Sequence, residues 1–129
     1  MSSIGSVRLS NRLWGRAMSD SHWTFFSNYA HVLVCLAETP EATLREIADR
    51  VGITERSAMR LITNLDDAAI LRRVKQGRRN TYLIDTSAHL RHPIEEHCTV
   101  GELLQTILSP ARVKRLERKH ARHVAELAN

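Results

Sequence analysis

The sequence predicts a mainly α-helical fold carrying one small β-hairpin, and three observations support that class. Two segments, "TLREIADRV" at 43–51 and "TVGELLQTIL" at 99–108, place a threonine three residues before a glutamate at the head of an apolar run, the pattern of a capped helix start. Apolar residues recur at helical spacing through most of 27–70 and again after 99. Only "LRRVKQGRRNTYLI", 71–84, departs from that period, with two β-prone runs on either side of Gly77.

A chain of 129 residues is long enough for one domain with a real core and too short for two of ordinary size. Residues 1–22 are Ser-rich, with Leu9, Leu13, Trp14 and Ala17 at loose helical spacing, so an N-terminal arm or short helix is expected there. The first firm helix is "SNYAHVLVCLAE". Ser27 or Asn28 is placed to cap it, and Thr39 and Pro40 end it. Its apolar content suits a central core helix.

In the next helix Thr43 and Glu46 form the capping box, and Leu44, Ile47, Ala48 and Val51 share one face before Gly52. "ITERSAMRLITNLDDAAI" then opens with Thr54 as N-cap and carries a stripe of Ala58, Leu61, Ile62, Leu65 and Ala69. After the hairpin come two C-terminal helices. Thr99 and Glu102 cap the first, and Ser109 with Pro110 opens the second.

Charge is segregated along the chain. The hairpin stretch 68–84 holds five cations and no acid, and 109–129 holds six cations against two acids, whereas 23–67 and 85–108 are each net acidic. This arrangement points to a polyanion, nucleic acid first and an anionic membrane surface second, with a merely solvated surface as the plain alternative.

The longest apolar run, "VLVCLA" at 32–37, cannot span a bilayer, and the N-terminus lacks the pattern of a signal peptide, so a cytoplasmic protein is expected. Cys35 and Cys98 fit a reducing compartment and give no disulfide framework.

The stretch 43–67 reads as a helix-turn-helix. Where two short helices cross steeply, the first needs a small residue under the crossing and the turn needs one that tolerates positive φ; Ala48 and Gly52 supply these. Ile47, Val51, Ile53, Ala58 and Leu61 fall where the pair packs on the preceding helix.

A helical wheel then turns Arg56, Arg60 and Thr63 outward on the second helix, flanked by Ser57, Met59 and Asn64, with Asp67 outward near its end. Arginine can bond guanine bidentately, asparagine can read adenine, and hydroxyls can reach phosphates or base edges, which is the chemistry of a recognition helix in a major groove.

The order of core helix, helix, turn, outward-basic helix and basic hairpin resembles the winged helix-turn-helix transcriptional regulators, in particular the MarR/ArsR-like group. The strings that carry the likeness are "HVLVCLAETPEATLREIADRVGITERSAMRLITNLDDAAIL", "GRRNTYLI" and "LRHPIEEHCTVGELL", covering about residues 23–108. Where such regulators usually read "GYL" after the recognition helix, this chain has Ala69, Ile70 and Leu71.

The resemblance implies a winged helix-turn-helix over 23–88, with N- and C-terminal helices, the latter over 89–129, used for dimerisation. It also implies a recognition helix at 54–68 in the major groove of double-stranded DNA, and a wing at 71–84 on the backbone or minor groove. The expected contacts are Thr54, Arg56, Ser57, Arg60, Thr63 and Asn64 from the helix. From the wing they are Arg73, Lys75, Gln76, Arg78, Arg79 and Asn80. Arg56 and Arg60 are the main candidates for base contacts, and the wing cations for phosphates.

Val113, Leu116, Val124 and Leu127 form a thin stripe on the last helix, with His120 in its middle. So narrow a stripe suits packing on a partner, and a homodimer reading a two-fold operator is expected; a helix that covers only its own domain is the alternative.

Three other readings compete. The hairpin could be an edge protected by charge, or the domain could bind an acidic protein partner. A metal-responsive sensor could use His89, His92, His97 and Cys98, but Pro93 interrupts that cluster and no paired "CxxC" is present, so no metal or cofactor is expected. Enzyme motifs are absent: there is no phosphate-binding glycine loop, zincin signature or nucleophile elbow, and the adjacent Glu95 and Glu96 make a poor catalytic pair.

Overall fold

Five helices and one antiparallel hairpin make up the described part of the protein, residues 23–128 of a computed structural model. The proposed arm or helix at 1–22 lies outside the described residues. In chain order the elements are α1 (Asn28–Glu38), α2 (Leu44–Val51), α3 (Glu55–Asp67), β1 (Leu71–Gln76), β2 (Arg79–Ile84), α4 (Val100–Ile107) and α5 (Pro110–Ala128). This is the winged helix-turn-helix order, mainly α with a two-stranded sheet.

α1 is apolar on several sides because it is surrounded: Ala30, Val32, Leu33, Cys35, Leu36 and Ala37 are all buried, and α2, α3, α5 and β2 pack on it. Its start differs from expectation. Ser27 occupies the N-cap position but its side chain makes no capping bond, while the Asn28 side chain meets the His31 ring at 3.1 Å. Packing of the apolar faces therefore holds this helix, with little help from its cap.

The capping box at α2 forms as the sequence implies. Glu46 N–H donates to the Thr43 hydroxyl at 3.2 Å, and Thr43 N–H donates to the Glu46 carboxylate at 3.2 Å. Gly52 ends the helix at φ +83°, a conformation open to glycine without penalty, and Gly52 and Ile53 N–H both donate to the Ala48 carbonyl. Thr54 then caps α3 by accepting from Ser57 N–H at 3.0 Å.

α3 stops at Asp67, so Ala69 is not part of its apolar stripe as the spacing suggested. Ala69 is exposed and lies beyond the helix at φ +61°, the left-handed position of a Schellman end: Ala69 N–H donates to Asp66 O and Ile70 N–H to Leu65 O. The chain is thereby turned from α3 into β1.

The hairpin pairs Leu71 with Ile84 through to Gln76 with Arg79, leaving Gly77 and Arg78 as a two-residue turn. Gly77 stands at φ +64°, the glycine-first pattern of a II′ turn that matches strand twist. Leu71, Tyr82 and Ile84 share the face that enters the core. Tyr82 N–H donates to Pro40 O at 3.1 Å and Asp85 N–H to Ile70 O at 2.8 Å, which ties the base of the wing to the helices.

One apolar cluster runs from Val32 and Leu36 through Ile47, Ile62 and Ile84 to Val100, Leu104, Val113 and Leu116. The C-terminal helices thus share the core of the helix-turn-helix. Gly101 makes this possible at one tight point: a Cβ there would stand 3.0 Å from the Thr86 carbonyl oxygen, to which Gly101 N–H donates. α5 divides in two. Val113 and Leu116 are buried in its own domain, whereas Val124 and Leu127 are 50% and 65% exposed. The stripe read from sequence therefore serves two surfaces, its own core near the start and an uncovered face near the end.

Candidate nucleic-acid interface

The surface of interest is built by α3 and the hairpin. With Ala58, Leu61, Ile62 and Leu65 locked into the core, the helical period leaves Arg56 and Arg60 exposed on the far side, with Thr63 partly exposed beside them. Asp67 is exposed at the end of the same face. Three further candidates from α3 are engaged within the protein. Thr54 and Ser57 satisfy each other, since the Thr54 hydroxyl accepts from Ser57 N–H and also donates to Ser57 Oγ at 3.0 Å. Asn64 Nδ2 donates to the Tyr29 hydroxyl of α1 at 2.7 Å, which holds it on the flank of the helix.

The wing cations are distributed by strand alternation. Arg73 and Lys75 point to the face shared with Tyr82 and Asn80; Arg72, Gln76 and Arg79 point to the other, and Arg78 occupies the turn. Arg73 behaves differently from the others. Its Nε donates to Asp66 at 3.3 Å, and its guanidinium approaches the Met59 sulfur at 3.7 Å, so it reaches back onto α3. Asp66 does not stand out in the sequence, although its place seven residues before Arg73 across a tight turn is a usable signal.

Among the described residues the ion pairs are Arg50–Glu38, Arg73–Asp66 and Arg112–Glu38. Arg56, Arg60, Arg72, Lys75, Arg78 and Arg79 take part in none of them. All six are exposed on adjacent elements, with Lys75 on one face of the hairpin, Arg72 and Arg79 on the other and Arg78 in the turn. Arg79 also lies within electrostatic reach of Glu46. That carboxyl is held below the ordinary range by the Thr43 hydroxyl, then by Thr43 N–H, with Arg79 adding a smaller effect.

The histidine-rich segment has structural partners. The His89 ring meets Glu96 O at 2.8 Å, and Ile94 N–H donates to His92 Nδ1 at 3.1 Å, so both rings brace the loop between β2 and α4. No group of three or more His, Cys, Asp or Glu among the described residues is placed to hold a metal ion. Cys35 is buried within α1, and burial pushes its thiol above the ordinary range, which suits a small core residue better than a reactive thiol.

No family model matches the chain, and no curated protein matches it significantly. Among solved structures it is similar to a MepR mutant from a multidrug-resistant clinical isolate of Staphylococcus aureus, at 15% identity and TM-score 0.45, over 100% of this chain and 99% of that one. It is also similar to MepR itself, a transcription regulator of the S. aureus multidrug efflux pump MepA, at 17% identity and TM-score 0.43, over 98% of each chain. Both likenesses are distant in sequence and geometry.

Proposed function

We propose that this chain is a sequence-specific transcriptional regulator that binds double-stranded DNA as a homodimer. α3 enters the major groove and the hairpin lies on the backbone or in the minor groove. The observation that carries this reading is the pair of exposed arginines on α3, Arg56 and Arg60, beside an acid-free hairpin whose Lys75, Arg78 and Arg79 form no ion pair among the described residues. A protein that needed these charges only for solubility would gain by interleaving acids among them.

The internal bonds refine the division of labour. Arg56 and Arg60 read base edges, with Thr63 beside them. Lys75, Arg78, Arg79 and Asn80 hold phosphates, with Gln76 behind them. Arg73 fixes the angle between wing and helix through Asp66, and Asn64 fixes α3 to α1, so both act on DNA mainly by positioning the groups that touch it. Thr54 and Ser57 present the first turn of α3, whose N–H groups and positive dipole end favour a phosphate.

Fluorescence polarisation against pooled and selected duplexes over a salt titration tests the reading. Arg78→Ala with Arg79→Ala weakens binding to every sequence and lowers the salt slope by about 0.9 for each phosphate left without its cation. Arg60→Ala costs about 1 to 3 kcal/mol on the selected site and less on random DNA. Absence of binding to any duplex at low salt overturns the proposal in favour of a protein-binding module.

A further inference from the structure

α5 carries a second basic surface that the recognition helix and wing do not use. At about 100° per residue, Lys114, Arg115, Arg118 and Arg122 fall within about 100° of arc, roughly opposite the Val113 and Leu116 side that is buried. All four are exposed, and none forms an ion pair among the described residues. The remaining members of the band are Ala111 and Ala125, small enough to let a backbone approach closely. The helix's two acids, Glu117 and Glu126, lie outside the band on the wheel.

This pattern works against the helix itself. Lys114, Arg118 and Arg122 succeed one another at i, i+4, and like charges at that spacing destabilise an isolated helix. A solvated surface helix gains from the reverse arrangement. From Lys114 to Arg122 the ridge is about 12 Å long, and one strand of a duplex presents about three or four phosphates over such a length. The buried anchor at Val113 and Leu116, with Arg112 ion-paired to Glu38 at 3.7 Å, fixes the proximal part of the helix to the body of the domain. Lys114 and Arg115 stand on this fixed part, and Arg118 and Arg122 continue the ridge along the same helix beyond Leu116.

We propose that Lys114, Arg115, Arg118 and Arg122 form a second phosphodiester-backbone contact, binding duplex DNA outside the segment read by α3 and the wing. The proposal rests on the DNA-binding reading above. Glutamine at all four positions removes the charge while keeping a good helix former. Against a duplex of about 40 bp, long enough to reach beyond two half-sites one turn apart, this variant has a shallower salt slope than the wild type, by about 0.9 for each phosphate no longer neutralised. Specificity for the selected site is unchanged.

Should the fourfold variant lose helicity by circular dichroism, Arg118→Gln with Arg122→Gln, beyond the buried anchor, gives the same readout. An unchanged slope with wild-type DNA binding intact overturns the ridge alone. So does an unchanged slope accompanied by loss of binding to phosphatidylserine-containing vesicles, which assigns the ridge to a membrane surface. No duplex binding by the wild-type protein overturns both proposals together.

Discussion

Among single residues, Ala69 departs furthest from what its chemistry prefers. It holds φ +61° at the end of α3, where its N–H and that of Ile70 close the helix onto Asp66 and Leu65. An L-residue in that region carries a penalty of about 1 to 2 kcal/mol that glycine avoids. Glycine in turn costs about 0.5 to 1 kcal/mol through the freedom of the unfolded chain. Ala69 is exposed, so its methyl contributes little packing. Ala69→Gly is therefore expected to stabilise the fold by about 0.5 to 1 kcal/mol, a rise of a few degrees in melting temperature; a fall would mean the methyl packs better than its exposure implies. The departure from "GYL" is visible in the sequence, but its consequence is not, because a backbone angle depends on where the helix stops. The same limit applies to Asn64, Thr54 and Ser57. Their residue types and wheel positions are legible, whereas their bonds to Tyr29 and to each other depend on neighbours that only packing brings within reach.

At the level of elements, what the sequence reveals best is local. Both capping boxes, the glycine after α2 and a turn at Gly77 follow from chemistry spanning three or four residues, and all four stand where that chemistry puts them; that the turn has two residues, Gly77 and Arg78, comes from the strand register. The capping box at α2 has a measurable pH signature. Because the Thr43 hydroxyl and N–H hold the Glu46 carboxyl below its ordinary value of 4.5, the stabilisation it brings is present above that value and is lost as pH falls through the lower value of the folded state. Glu46→Gln keeps a capping partner without the charge. The difference in melting temperature between wild type and this variant is expected to hold between pH 7 and 5 and to shrink as pH falls below about 4.5. A difference that stays constant down to pH 3 would assign the bonds no preference for the ionised form. What sequence does not supply at this scale is the join between wing and helix. Arg73 and Asp66 lie on different elements, and their 3.3 Å pairing exists only because the Schellman turn folds β1 back along α3.

For the whole molecule, the decisive feature is apolar surface left uncovered among the described residues. Val124 and Leu127 project from the distal half of α5, beyond the last buried residue of that helix, Leu116. An isolated helical segment of that length is marginal in water, so a second copy covering these residues would stabilise both the helix and the pairing. A two-fold dimer would also place two α3 helices on one face of a duplex, at half-sites about 34 Å apart. Val124→Glu with Leu127→Glu tests this, because both residues are exposed in the single chain and the substitutions leave the core at Val113 and Leu116 intact. The variant should fold, sediment as one chain where the wild type sediments as two, and bind a single half-site with the affinity of one subunit. On the full operator it should lose the added affinity that comes from joining two binding units, which is commonly about a hundredfold or more. A variant that remains dimeric would move the interface away from the distal helix, toward the exposed Trp23 and Phe25 that precede α1.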